Sequence, residues 1–138
     1  MKLHRVRSGQ SMVEFAIIMV LLLALVLGIV EFGRAWMTFQ VITNASREGA
    51  RLAALPTGFS TAGTVTTRVN DYLASANLDP GRASVTATNV DGATGTDAVV
   101  TVQYSADMLF LGPVLGFLGT STVPGTLLLT GQATMRNE

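Results

Sequence analysis

The sequence predicts an α+β protein. A long N-terminal helix, with a transmembrane half and an exported half, is followed by a second helix and a small three-stranded antiparallel sheet. Three observations predict this. Phe15 to Val30 is an apolar run of sixteen residues without a charged or strongly polar member. A three- and four-residue apolar rhythm continues beyond it to about Ala54. From Ala83 onward, β-branched residues alternate with others between turns rich in Gly and Asp.

Composition sets the outer bounds. The 138 residues suit one domain with an attached segment. Nine basic residues balance nine acidic ones. No basic stripe follows the first few residues, so nucleic acid is not an expected partner. The chain has no cysteine and a single histidine, His4. Disulfides, thiolate metal sites and thiol chemistry are excluded, and histidine-based catalysis and most zinc sites are not expected. No cofactor or metal is implied.

The elements follow in order. Residues 1–9 are a basic leader with Lys2, Arg5 and Arg7 and no acidic residue. Residues 10–30 form the membrane helix. Twelve of the sixteen residues from Phe15 to Val30 are Leu, Ile, Val or Phe, which favours insertion by roughly 4 to 7 kcal/mol. From Met12 to Val30 such a helix is about 28 Å long, close to the hydrocarbon thickness. The alternative is a buried core helix, but a soluble domain this small could not easily cover a helix that is apolar on every side. The basic leader places the N-terminus in the cytoplasm and the remainder on the exported side.

Residues 31–55 continue the helix. Phe32, Trp36, Phe39, Ile42, Ala45, Gly49, Ala50 and Ala53 share one face. Glu31, Arg34, Gln40, Asn44, Arg47, Glu48 and Arg51 share the other, where Arg47, Glu48 and Arg51 can pair within the helix. Leu55-Pro56 ends it. Trp36 and Phe39 either anchor at the membrane interface or pack under the following domain. Ala24-xxx-Gly28 and Ala45-xxx-Gly49-xxx-Ala53 are small-residue series that let another helix approach closely.

Residues 56–138 are the exported α+β domain. A loop spans residues 59–65. Val65, Val69, Tyr72, Leu73 and Ala76 then mark one face of the second helix. Asp79-Pro80-Gly81 is a turn. Strands are expected over residues 83–90 and 97–105, joined by a Gly-rich turn from Asp91 to about Thr96, and a third over residues 125–136. The first two pair as neighbours; the pattern does not settle the place of the third. Residues 108–119, "MLFLGPVLGFLG", are almost wholly apolar, yet too short and too broken by Gly and Pro to span a bilayer. Leu109, Phe110, Leu111, Val114, Leu115, Phe117 and Leu118 form either a contact surface for a partner or the membrane, or a lid on the core. The domain holds no nucleophile–base pair, metal-ligand spacing or phosphate loop, so an enzyme is not expected.

Two readings compete for the N-terminus. A signal peptide would need a small-x-small cleavage site, and Gly33-Arg34-Ala35 is a poor one. The alternative starts from Gly9, which closes the basic leader, with Glu14 five residues beyond at the head of the span. This stretch, "SGQSMVEFAIIMVLLL", resembles the processing site of type IV prepilins. The longer segment "GQSMVEFAIIM…GIVEFGRAWMTFQVITNASREGARLAA" is similar to the TadE-like proteins of the tight-adherence (Tad/Flp) pilus system. It carries their Glu-Phe-Ala at the start of the span and an Ala-x-Arg-x-x-Ala-Arg pattern, here Ala45 to Arg51. Where many relatives have a proline early in the helix, this chain has Met19 and Val20.

The resemblance implies a pilin-like fold and cleavage by prepilin peptidase between Gly9 and Gln10. It implies a bacterial inner-membrane location, with other pilin-like subunits and the pilus assembly machinery as partners. Cleavage would create an α-amine at Gln10, one turn from Glu14. A carboxylate at that depth either pairs with the amine of a neighbouring subunit or assembly partner, or stays solvated at the headgroups. Two other readings stay open: an unprocessed single-span protein whose exported domain binds another envelope component, and a secreted binding domain.

Overall fold

The computed structural model describes residues 4–56, 58–110, 112, 113, 116 and 125–137, and of residues 4–8 the backbone alone. The described residues include two helices, a short 3-10 turn and three strands, an α+β arrangement. Helix α1 is His4–Ala53, α2 is Ala62–Ser75, and strands β1, β2 and β3 are Ala83–Thr88, Asp97–Asp107 and Thr126–Arg136. The described residues divide into two compact units. One lies within Met1–Gly33 and Met108–Gly125, the other within Arg34–Asp107 and Thr126–Glu138.

Helix α1 begins at His4, within the basic leader and ahead of residue 10, where the sequence reading begins the membrane helix. The leader contains no proline, and Gly9 alone costs only about 1 kcal/mol, so a nucleated helix extends through it. At the other end the ladder closes with the Ala54 N–H on the Ala50 carbonyl at 3.0 Å, just ahead of Pro56.

Helix α2 starts at Ala62, inside the stretch expected to be a loop. Thr61 is its N-cap: its hydroxyl accepts the Thr64 N–H at 3.2 Å, and the Thr64 hydroxyl accepts the Thr61 N–H at 2.9 Å. Thr64 thus fills the place that Glu or Gln takes in most such boxes. The helix ends on Asn77 in the left-handed region, with the Leu78 N–H on the Leu73 carbonyl at 2.9 Å.

The sheet is antiparallel throughout, in the order β1-β2-β3. Its inner face presents Ala98, Val100, Val102 and Tyr104 from β2, all buried. The inner residues of β1 and β3 flank them: Ala83, Val85 and Ala87 on one side, Leu129, Ala133 and Met135 on the other. Ile42, Ala45, Ala50 and Ala53 of α1 and Val65, Val69 and Leu73 of α2 complete this core at 0 % exposure. Each fully buried Val, Leu or Ile contributes roughly 1.5–3 kcal/mol.

Two glycines permit the close packing. A Cβ on Gly131 of β3 would lie 3.0 Å from the backbone of Ile42 and Thr43, and one on Gly49 would lie 2.7 Å from Val69 Cγ2. The outer sheet face alternates in register with the core. It carries Ser84, Thr86 and Thr88 from β1, Thr101, Gln103 and Ser105 from β2, and Thr130, Gln132 and Thr134 from β3.

The β1–β2 turn is held at both ends. Asn89 and Asp91 adopt positive φ. The Asp91 N–H donates to the carbonyl of Ala53, the last residue of α1, at 3.2 Å, and its carboxylate accepts the Gly58 N–H at 2.7 Å. Asn137, 2 % exposed, donates its side-chain amide to the Asn89 carbonyl and the Thr96 hydroxyl.

Candidate assembly interface

The N-terminal part of α1 is a surface made almost entirely of apolar side chains. Met12, Phe15, Ile17, Ile18, Leu21, Leu25 and Ile29 are exposed, as are most of their apolar neighbours, while Ala24, Leu27 and Gly28 are half-buried. Among the described residues this is the one helix long and apolar enough to cross a membrane, and none of its most apolar stretch is buried within the chain. Gly9 and Gln10 are exposed and helical, and nothing lies within 4 Å of a Cβ built on Gly9. Glu14 is exposed at the head of the apolar run.

The two small-residue series lie in different surroundings. Ala24 and Gly28 are half-buried, and a Cβ on Gly28 would meet nothing within 4 Å. Ala45, Gly49 and Ala53 are buried in the core of their own domain, where Gly49 faces Val65, Val69 and Val100. The approach that these three small residues permit is thus taken up by α2 and β2 of the same chain. Trp36 is 54 % exposed. Phe39 is half-buried against the domain core, with its ring centroid 6.0 Å from that of Trp36.

The charged residues are only partly as the helical pattern sorts them. Arg51 pairs with Glu48 within α1 at 3.2 Å, whereas Arg47 donates to the Asn44 side chain at 3.3 Å. The shorter contact of Glu48 reaches another element: Arg68 of α2 lies 2.8 Å away and donates through Nε as well. Hydrogen bonds from Arg68 and then Arg51 hold the Glu48 carboxyl below its ordinary pKa. At the far end of β2, Arg82 makes a two-pronged pair with Asp107. That contact holds the Asp107 carboxyl below its usual range. Among the described residues, no group of three His, Cys, Asp or Glu side chains comes together as a metal ion would need.

Glu31 corrects the sequence reading, which set it on the solvated face. It is only 6 % exposed. Its Oε1 accepts the Leu109 N–H at 3.2 Å and its Oε2 accepts the Phe110 N–H at 2.8 Å. The Met108 N–H donates to the Gly125 carbonyl at 2.9 Å, closing the base of the same segment. Helical periodicity could not reveal this, because the partners of Glu31 are backbone groups 78 and 79 residues away. Leu109 and Phe110 expose 52 % and 37 % of their surface. Leu111, Val114, Leu115, Phe117 and Leu118, predicted with them as one surface, lie outside the described residues.

With this geometry in place, comparison with known families gives one finding. Residues 9–51 match the family model described as TadE-like protein, the family that the N-terminal motifs resemble. The match starts at Gly9 and ends at Arg51, about a third of the chain. No curated protein and no solved structure matches.

Proposed function

We propose, with the TadE-like match over residues 9–51 as the premise, that this chain is a membrane-anchored, pilin-like subunit of a tight-adherence pilus apparatus. The observation that carries the reading is where the match begins: at Gly9, the residue that closes the basic leader. Prepilin peptidase cuts between Gly9 and Gln10, so the chain is a substrate of that enzyme and does no chemistry itself. The cut frees an α-amine at Gln10, about 6 Å along the helix axis from Glu14.

The carboxylate of Glu14 then has a counter-charge within reach in a neighbouring subunit or assembly partner. A poorly solvated charge is stabilised by such a match and fixes the register between helices. The exposed apolar surface of α1 supports this role, because it leaves the helix free to pack laterally in the bilayer. Ala24 and Gly28 offer the place of closest approach. The domain of α2 and the sheet is carried on the exported side.

Mass spectrometry of the chain isolated from its own host tests the reading. Gln10 as the first residue supports it, and retention of Met1 refutes processing. A second reading is an unprocessed single-span protein whose exported domain binds another envelope component. It is favoured by the uninterrupted course of α1 from His4 through Gly9, and Met1 as the first residue would select it.

A further inference from the structure

We propose that Glu31 is a clamp that seats Leu109 and Phe110 in the lipid surface of the exported leaflet, giving the chain a second membrane contact beside its helix. The inference rests on the spanning reading of α1. Glu31 is the first residue beyond the apolar run, so it stands where hydrocarbon gives way to headgroups. Its two carboxylate oxygens take the N–H groups of Leu109 and Phe110, one each.

Those are the groups that a segment entering a water-poor layer must satisfy, since no water is there to take up an unpaired N–H. With both N–H groups engaged, what Leu109 and Phe110 turn outward is their exposed apolar side chains. Ile29 and Phe32 on α1, to either side of Glu31 in sequence, are exposed as well, at 64 % and 70 %. The clamped pair therefore extends the apolar surface of the span at its outer end. Lipid is the occupant, because it already must cover that span.

The absence of cysteine makes the test direct. Leu109→Cys in the full chain is labelled with an environment-sensitive fluorophore and reconstituted into phosphatidylcholine–phosphatidylglycerol vesicles carrying a spin label high on the acyl chain. Val20→Cys, in the span, and Thr94→Cys, in the β1–β2 turn, are labelled in parallel. The expected result is quenching at positions 20 and 109 and none at position 94. Glu31→Ala should lower the ratio of seated to unseated segment by about tenfold or more, since two hydrogen bonds to a charged group are lost. Glu31→Gln, which keeps size and one acceptor oxygen, should fall between.

Quenching at position 20 but not at 109 overturns the inference and leaves the membrane reading standing. No quenching at position 20 overturns both. A label at 109 shielded from aqueous iodide yet untouched by the lipid quencher shows that protein covers the site. Quenching at 109 unchanged in Glu31→Ala shows that the carboxylate is not the clamp. Unaltered near-ultraviolet circular dichroism of the exported domain confirms that each variant is folded.

Discussion

Adding one methyl group at Gly49 probes the packing of α1 against α2. A Cβ at this position lies 2.7 Å from Val69 Cγ2, 3.2 Å from Val100 Cγ1 and 3.5 Å from Val65 Cγ1. Val69 and Val100 are at 0 % exposure, and a valine in a helix is nearly confined to one rotamer. The side chain of Val69 has nowhere to turn, so α2 must move away by several tenths of an ångström. Overpacking of this kind costs about 1–3 kcal/mol. Replacing glycine by alanine inside a helix returns about 1 kcal/mol.

Gly49→Ala alone should therefore destabilise the domain by about 0–2 kcal/mol. The sharper quantity is its coupling to Val69→Ala. Alone, Val69→Ala opens a cavity and costs about 1–3 kcal/mol. In the Gly49→Ala background it also relieves the clash, and the new methyl fills part of the space. The loss from Val69→Ala should then shrink by at least about 1 kcal/mol. Urea titration of the full chain in detergent micelles, followed by the near-ultraviolet signal of buried Tyr104, gives all four corners of the cycle. If the two effects add within about 0.5 kcal/mol, as independent sites do, the contact is absent and the argument from close approach fails.

Other outcomes follow from the charges and the N-terminus. The folded-state pKa of Glu48 is lowered by Arg68 and Arg51. Its stabilisation is therefore complete above the ordinary glutamate range and fades as pH falls through the folded pKa. Arg68→Met should cost a few tenths of a kcal/mol at neutral pH, given how exposed the pair is. That difference should shrink as pH falls through the lowered folded-state pKa of Glu48, read from paired denaturation curves. Glu14→Ala should leave membrane insertion intact and abolish filaments in sheared-cell fractions; normal filaments would dispose of the charge-pairing role. Gly9→Val should leave the first nine residues in place, visible as a heavier chain on immunoblots, and unchanged processing would refute the cleavage site.

Much of this fold is legible in the sequence because one periodicity dominates each element. Val65, Val69 and Leu73 fall at helical spacing and are buried together. Val100, Val102 and Tyr104 fall at strand spacing and are buried together. What sequence pattern does not show depends on partners far along the chain. Alternation places Leu129 and Gly131 on the inner face of β3, but only hydrogen bonding to β2 fixes that strand at the sheet edge. Gly131 reads as a weak point in a strand until the backbone of Ile42 is seen against it.

At the candidate site, Gly9 and Glu14 stand out as a glycine ending a basic leader and a carboxylate heading an apolar run. Glu31 does not. Its helix neighbours suggest a solvated face, while its actual partners are two N–H groups in a segment whose own composition says only that it is apolar. The same limit hid the contact between Glu48 and Arg68, since either residue alone is satisfied by its own helix pattern.

The outer face of the sheet has a consequence for how its contacts respond to salt. Between Asp97 and Arg136 at one end and Asp107 at the other, its side chains are hydroxyls, amides and a few aliphatic groups, with no charge among them. Dissolved salt has nothing there to screen. Whatever that face holds, it should hold equally in fresh water and in brine, whereas contacts steered by charge loosen as ions are added.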